Sequence, residues 1–494
     1  MRTKLVIPVV AQNIDAALEQ AEAAQEYANV IEFRADYIQD LELSDIEKFK
    51  NAIKRPVIFT CRPEYEKGHF SGTEKEREKF IEKALDSGYE YVDVEYKSDF
   101  YQEIITKTQN SRIILSYHNF DRTPSYNELQ KLLDKMRAYP PHLIKIITTA
   151  NTINDNFNIF QLLEDNQEKD IISFCMGVYG IISRALSRKF GSYLSFAALN
   201  EESKSAQGQI NVKEMMRIYN FSGINSKTKV LGVAGEFAEN SKSKYLHNPV
   251  FQSLNKNYVY LPFKVEPGDD LKQFMSNFRD YEFAGMAVTI PHKEKIMKYM
   301  DEVDDTAEAI GAVNTVVRQN NKLIGYNTDF VGAINALERK IELANKSCLV
   351  IGAGGASRAV VYGLINKSVN VTITNRTRVK AERLGAEFGC DVIDFEDRGS
   401  RAGEFDIIIN TTSVGMYPDT DSSILENFSP DTLVMDIVYN PLRTKFIQLA
   451  EEAGCPVITG EKMLVYQAIK QSELWTGERP GFEQMHQAFF NIPE

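Results

Sequence analysis

Short apolar runs punctuate the first two hundred residues at regular intervals. They fall at 5–10, 30–36, 56–62, 91–96, 112–118, 143–149, 171–177 and 193–199. Between them lie charged stretches, such as 15–27 and 74–87, whose apolar residues recur at helical spacing. Strands alternating with helices predict a parallel sheet. About eight such units in about 200 residues predict a (β/α)8 barrel. The stretch 221–229 is polar and contains glycine, and it reads as a linker. A new strand begins at Val230-Leu231-Gly232-Val233. Further on, an apolar strand ends in Gly352-Ala353-Gly354-Gly355-Ala356-Ser357 and leads into a helix over 359–366. Strands at 371–374, 406–410, 433–438 and 456–459 complete a doubly wound Rossmann-type sheet over 331–460.

Some polar residues break the apolar runs. Side chains on a strand alternate faces, so Glu32 and Arg34 share a face, as do Asp93 and Glu95. Arg62 and His118 end their runs, and Lys145 lies inside one. Any one of these alone reads as an ion pair. Six candidates at different positions on five runs (Glu32, Arg34, Arg62, Glu95, His118 and Lys145) instead predict a shared mouth, because a barrel builds its active site at the C-terminal strand ends. Buried charges are costly unless paired or used.

Composition narrows the partners. The chain of 494 residues is 43% hydrophobic, 26% charged and carries a formal net charge of -12. An acidic balance argues against a nucleic-acid or membrane surface, so acidic small molecules need local basic sites. No apolar run approaches the ~20 residues of a membrane span. The chain enters a strand-like run at once, without a signal or transit layout, and is expected in the cytoplasm. Five cysteines show no CxxC spacing and are expected as buried, reduced thiols. No cluster has metal-ligand spacing, so no metal is expected.

The barrel residues carry a family resemblance. Ile31-Glu32-Phe33-Arg34, Ser116-Tyr117-His118-Asn119, Leu143-Ile144-Lys145-Ile146, 191–196 and Ser205-Ala206-Gln207-Gly208-Gln209 resemble the type I 3-dehydroquinate dehydratases over 1–222. The resemblance implies an imine between Lys145 and the ketone of dehydroquinate, with His118 as acid–base and Glu95 orienting it. It places the carboxylate on Arg184, the ring hydroxyls on Glu32, Arg34 and Arg62, and a closing loop at Ser205 and Gln209. Gln207 departs from the proline of many members. From the residues themselves, a lysine on an apolar strand has its ammonium disfavoured and is poised as a neutral nucleophile.

The second half resembles shikimate dehydrogenase over 229–482. The motifs are Val288-Thr289-Ile290-Pro291-His292-Lys293, Gly311-Ala312-Val313-Asn314-Thr315, Asn327-Thr328-Asp329, 410–416, 436–441 and 463–468. The resemblance implies a Lys293–Asp329 catalytic pair, with Ser241 and Ser243 taking the substrate carboxylate. Thr289, Asn314, Tyr439, Gln467 and Gln471 bind hydroxyls. Gly352, Gly354, Gly355 and Ala356 form the dinucleotide turn, joined by Thr411 and Met416. After the next strand, Asn375-Arg376-Thr377, with Lys380, stands where an NAD site has an acid, so NADP is the expected cofactor. Asn240 and Lys244 depart from the usual carboxylate-site residues.

These readings predict a dehydratase barrel at 1–224, a substrate domain at 225–330, a Rossmann domain at 331–460 and returning helices at 461–494. The expected partners are small-molecule substrates of two consecutive reactions: 3-dehydroquinate, 3-dehydroshikimate and shikimate. Two alternatives keep parts of this picture. One is an imine-forming aldolase barrel fused to a quinate-type NAD dehydrogenase, and the other is a non-catalytic scaffold. Arg184, Gln209 and Asn375-Arg376-Thr377 speak against the first. The retention of Lys145 and Lys293 speaks against the second.

Overall fold

The computed structural model describes residues 3–491, apart from 109, 168–169 and 269. By internal contacts the chain forms two compact units. The first is Met1–Lys229 with Asn257–Tyr281, and the second takes Val230–Lys256 and Glu282–Ile492.

The first unit is the barrel. Its strands are β1 (Lys4–Val9), β2 (Val30–Arg34), β3 (Val57–Thr60), β4 (Tyr91–Glu95), β5 (Arg112–His118), β6 (Leu143–Thr149), β7 (Ile171–Met176) and β8 (Leu194–Phe196). Each coincides with one apolar run of the sequence, β1 starting one residue earlier at Lys4. The order β7-β6-β5-β4-β3-β2-β1-β8 is that of a closed path. Tyr193 N donates to Ile171 O at 2.7 Å across the closing edge. Several helices between the strands begin with side-chain caps. At helix Glu74–Asp86, Thr73 accepts from Glu76 N while the Glu76 carboxylate reaches back to Thr73 N, the capping-box exchange that satisfies two orphan donors. Val6, Ile58, Ile114, Ile172 and Leu194 fill the barrel interior. Residues 257–281 join this unit, with β10 (Tyr258–Lys264) and helix Leu271–Asp280.

The second unit holds two sheets. In the first, β9 (Lys229–Gly235), β11 (Gly285–Val288), β13 (Thr315–Gln319), β14 (Lys322–Tyr326) and β12 (Glu302–Val303) lie side by side in that order. The second sheet is parallel, in the order β17 (Asp391–Val392), β16 (Asn370–Thr374), β15 (Ser347–Ile351), β18 (Ile407–Asn410), β19 (Leu433–Asp436) and β20 (Val457–Ile458). Its core packs Val350, Ile373, Ile409 and Met435 against Val360, Val361 and Leu364 of helix Gly355–Ile365. That helix starts at Gly355, four residues before the sequence-predicted position, because the glycine turn itself forms its first turn. The long helix Gly460–Thr476 packs closely on helix Asp329–Glu338. Gly332 makes this approach possible: a Cβ there would lie 2.6 Å from Met463 O.

Candidate functional site

Two constellations emerge, one in each unit. In the barrel, an open cavity of about 590 Å³ is lined by Glu32, Arg34, Arg62, His118, Lys145, Arg184, Ser205 and Gln209, together with Glu66, Lys67, Phe120, Phe174 and Phe196. Five of the six strand-associated polar residues therefore converge as predicted. Glu95 does not line the cavity.

The partner of His118 is Glu66, not Glu95. His118 Nδ1 and Glu66 Oε2 share a hydrogen bond at 3.0 Å. Glu95 sits behind Arg62, accepting from Arg62 Nη1 at 2.7 Å and from the buried Arg77. The correction has a local cause. The chain after β3 turns back as Glu64–Glu66, and Gly68 lets it lie against Arg62, where a Cβ would sit 2.0 Å from Arg62 O. This carries Glu66 over the mouth, while the Glu95 side chain is committed to two guanidinium groups. Burial raises the Glu66 carboxyl above its ordinary range, while Arg62 and Lys97 oppose the shift. Burial, then Arg62 and Lys145, push the His118 imidazolium well below its ordinary range. His118 is thus a neutral imidazole near neutrality, suited to accept a proton.

Lys145 is also set differently from the sequence expectation. Its strand is apolar, yet Nζ meets Asp93 Oδ2 at 2.9 Å and Glu32 Oε1 at 4.0 Å. The apolar strand therefore delivers Lys145 to two carboxylates rather than to an apolar pocket. Asp93 further accepts from Ser116 at 2.6 Å and from Arg62 at 2.9 Å. Burial would raise Asp93, but Arg62 and then Lys145 hold it below the usual carboxylate range.

Arg184 contrasts with the other guanidinium groups. Arg34 forms a bidentate pair with Asp36 at 2.8 and 2.7 Å. Arg184 is 2% exposed and lies over the Phe174 ring at 4.4 Å. Its Nε has no hydrogen-bond partner, and among the described residues no carboxylate pairs with it. Burial pushes it down to about 10, so it remains a cation at neutral pH. A buried cation without an anion is a site for one. Ser205 N donates to Gln209 Oε1 at 2.8 Å, tying the predicted closing segment together.

In the second unit, Lys293 Nζ meets Asp329 Oδ2 at 2.5 Å. Asn314 Nδ2 donates to Asp329 Oδ1 at 2.7 Å, and Thr328 N donates to Asn314 Oδ1 at 2.7 Å. Gln471, nearly wholly buried, donates to Thr315 Oγ1 at 2.9 Å, and Thr315 Oγ1 donates to Asn314 Oδ1 at 2.7 Å. Thr328 Oγ1 donates to Gln467 Oε1 at 3.4 Å. Ser241 Oγ donates to Ser243 Oγ at 3.1 Å. Burial raises the Tyr439 phenol, and a bond with Ser241 opposes that shift. Thr289 sits one residue beyond β11 and packs on Gly235, where a Cβ would meet Thr289 Cγ2 at 2.3 Å.

The glycine turn fits a dinucleotide. Gly352 has φ +127°, and a Cβ there would meet Thr411 Oγ1 at 2.4 Å. A Cβ at Gly354 would meet nothing within 4 Å, so the space over the helix N-terminus is open to a phosphate. Ala356 stands in the helix's first turn. Ser357, in place of a third glycine, has its hydroxyl buried between Thr411 Oγ1 at 2.6 Å and Gly354 N at 3.1 Å. Gly355 approaches Lys293, where a Cβ would lie 3.1 Å from Lys293 Cβ. The glycine turn and the Lys293–Asp329 pair are therefore neighbours. After β16, Asn375 Nδ2 donates to Thr377 O at 2.9 Å. Arg376 and Lys380 are exposed, and among the described residues neither pairs with a carboxylate. Arg378, between them, is committed to Glu382 and Asp394. Met416 follows β18, with its N donating to Ser413 O at 3.1 Å. Among the described residues there is no group of acidic, histidine or cysteine side chains that could hold a metal.

Comparison with known proteins finds a known family for each half of the chain. A family model described as type I 3-dehydroquinase matches residues 5–226. Models for the shikimate dehydrogenase substrate binding domain, shikimate / quinate 5-dehydrogenase and the shikimate 5'-dehydrogenase C-terminal domain match 233–316, 335–439 and 460–488. A chloroplastic bifunctional 3-dehydroquinate dehydratase/shikimate dehydrogenase of Arabidopsis thaliana is 36% identical, covering 95% of this chain and 81% of that protein. The shikimate dehydrogenase (NADP(+)) of Methanococcus aeolicus is 45% identical, over 54% of this chain and 99% of its own. A crystal structure of a shikimate dehydrogenase in complex with NADP+ is 41% identical, with a TM-score of 0.51 over 54% of this chain and 96% of that one. The chain belongs to the family of bifunctional 3-dehydroquinate dehydratase/shikimate dehydrogenases.

Proposed function

We propose that the barrel dehydrates 3-dehydroquinate through a Schiff base on Lys145, and that the second unit reduces 3-dehydroshikimate to shikimate with NADPH. The observation that carries the first half is the cavity that gathers Lys145, His118 and the unpaired Arg184. Arg184 takes the substrate carboxylate with its planar fork. Glu32, Arg34 and Arg62 hold ring hydroxyls, and Ser205 and Gln209 close over the ring. Lys145 gives up its proton, attacks the ketone carbon and expels water as the imine forms. The imine draws electrons from the adjacent C–H bond. His118 takes that proton through Nε2, with Nδ1 held by Glu66, and returns a proton to the departing hydroxyl. Hydrolysis of the imine releases product and restores the amine. Glu95 supports Arg62 from behind.

The reductase reading rests on Lys293 and Asp329 lying beside an open glycine turn. The bound dinucleotide supplies the hydride. Lys293 faces the oxygen that gains charge and donates a proton to it. Asp329, held by Asn314, fixes the ammonium. Ser241, Ser243 and Tyr439 receive the carboxylate end, and Thr289, Asn314, Gln467 and Gln471 set the hydroxyl face. Gly352, Gly354, Gly355 and Ala356 seat the pyrophosphate, flanked by Thr411 and Met416. Asn375, Arg376, Thr377 and Lys380 take the 2′-phosphate, which supports NADP over NAD. The proposed division is a barrel at 1–224, a substrate domain at 225–330, a dinucleotide domain at 331–460 and returning helices at 461–494. A cytoplasmic setting is proposed on the five free cysteines. No helix among the described residues is long and apolar enough to cross a membrane.

The test couples both halves. Dehydroquinate with NADPH should consume NADPH, and borohydride added with dehydroquinate should fix the ligand on Lys145 by peptide mapping. Labelling elsewhere, or full dehydratase activity in Lys145→Ala, removes the Schiff-base assignment.

A further inference from the structure

The barrel cavity contains a cation that the assignments above leave unused. Lys67 lines the cavity, yet unlike Arg184 it is exposed. Its backbone is left-handed, at φ 53° and ψ 32°, a conformation that a Cβ disfavours. The turn is locked by Lys67 N donating to Glu64 O at 2.9 Å and Gly68 N donating to Pro63 O at 3.0 Å. Its ammonium lies 4.7 Å from the centroid of Phe120, and Phe120 stacks on His118 with centroids 5.8 Å apart.

Charge accounting separates Lys67 from its neighbours. Arg34 is matched by Asp36, Arg62 by Asp93 and Glu95, and Lys145 by Asp93. Lys97, close by, pairs with Glu66. Among the described residues no carboxylate pairs with Lys67. Two cations of the cavity therefore remain open to an anion, the buried Arg184 and the exposed Lys67.

We propose that Lys67 is a further substrate-binding residue of the dehydratase. It is a rim cation that captures the carboxylate-bearing substrate and rests on Phe120 when the cavity is empty. The proposal rests on reading the cavity as the dehydroquinate site. An exposed cation acts on an incoming anion through a field that salt screens, and it acts before any bond to Lys145 forms.

The test is initial-rate dehydratase kinetics of the full chain across a series of NaCl concentrations. The variants are Lys67→Gln, Lys67→Gly and Lys67→Arg, with Arg184→Gln alongside. Lys67→Gly removes the charge and suits the left-handed backbone, so a folding defect does not obscure the result. Lys67→Gln and Lys67→Gly should each raise KM about fivefold, the scale of one exposed ion pair. They should leave kcat little changed and flatten the fall of kcat/KM with salt, while Lys67→Arg should keep the parent values. Unchanged KM and salt dependence in both uncharged variants overturns the proposal. So does a fall in kcat at constant KM, which would mean that Lys67 acts on His118 through Phe120 instead. An Arg184→Gln variant with unchanged KM would count against the cavity reading itself.

Discussion

Replacing Glu66 and Glu95 in turn tests which carboxylate tunes His118, a role that the family resemblance gives to Glu95. In Glu66→Gln the carboxylate 3.0 Å from His118 Nδ1 becomes a neutral amide. At that distance, with an effective dielectric near 20, a carboxylate attracts an imidazolium by about 5 kcal/mol. After desolvation is subtracted, a charged hydrogen bond contributes about 1.5–3 kcal/mol. An amide can also donate to Nδ1 and place the ring hydrogen on Nε2, where it blocks the base. The expected loss in dehydratase kcat is therefore about 10- to 100-fold. The sign of the pH effect follows from the same contact. In the proposed mechanism His118 works as a neutral base, so activity should fall as pH drops through its pKa. Without the carboxylate the imidazolium is less favoured, and the acid limb should move to lower pH by about one to two units. Glu95→Gln should act otherwise. It strips the buried Arg62 and Arg77 of a shared anion, costs about 3–5 kcal/mol of stability and leaves the acid limb in place. The assay is kcat against pH for both variants, with thermal unfolding beside it. If Glu95→Gln moves the limb and Glu66→Gln does not, Glu66 is not the carboxylate that tunes His118.

Other perturbations probe the second unit and the division of the chain. Burial pushes Asp436 up to about 7 from an ordinary 3.8. A raised carboxyl means the folded state binds the extra proton, so stability is lost as pH rises from about 4 to about 7, by at most ~4 kcal/mol. The unfolding free energy of Asp436→Asn relative to the parent chain should therefore improve across that window, and a difference independent of pH contradicts the linkage. Arg376→Ala should cut the NADPH to NADH ratio of kcat/KM about tenfold, whereas Arg378→Ala should leave it alone because Glu382 and Asp394 occupy that guanidinium. Equal effects from both variants would refute the assignment. Residues 1–224 and 225–494 expressed apart should each retain their own activity. The barrel fragment should melt at a lower temperature, since Tyr281, whose hydroxyl donates to Phe157 O at 3.2 Å, is left out of it. A fragment that folds but stays inactive until its complement is added would show that an active site is shared.

Much of the fold was legible in the chain because strands and helices leave different periods. Each barrel strand matches an apolar run to within one residue at its start, and the polar interruptions at Glu32, Arg34, Lys145 and His118 mark the cavity, as alternation of faces requires. Glu66 escaped for a physical reason. It stands in a short turn among Glu64, Lys67 and exposed residues, where charge ordinarily means solvent. The available signal was Gly68, the residue that lets this turn fold back on Arg62. Ser357 escaped for the opposite reason. Its polarity reads as a departure from a glycine motif, whereas its hydroxyl holds Gly354 N and Thr411 together from a buried position.

The two lysines differ in a way that residue type conceals. Each sits against an aspartate, Lys145 with Asp93 at 2.9 Å and Lys293 with Asp329 at 2.5 Å, yet the chemistry asks opposite things of them. In the proposed reduction Lys293 delivers a proton to the oxygen that gains charge, and the carboxylate beside it is anchored by Asn314. In the proposed dehydration Lys145 attacks a ketone as the free amine, and its aspartate is not its alone. Asp93 is shared among Lys145, Arg62 and Ser116, so its charge is divided and Lys145 does not hold it alone. The Arg62 guanidinium, which shares that carboxylate, also adds positive charge near the ammonium. One aspartate is shared among three donors, and the other is anchored by an amide beside a single lysine. That difference lies in neighbours brought together by folding, which is why the residue types along the chain cannot distinguish a nucleophile from a proton donor.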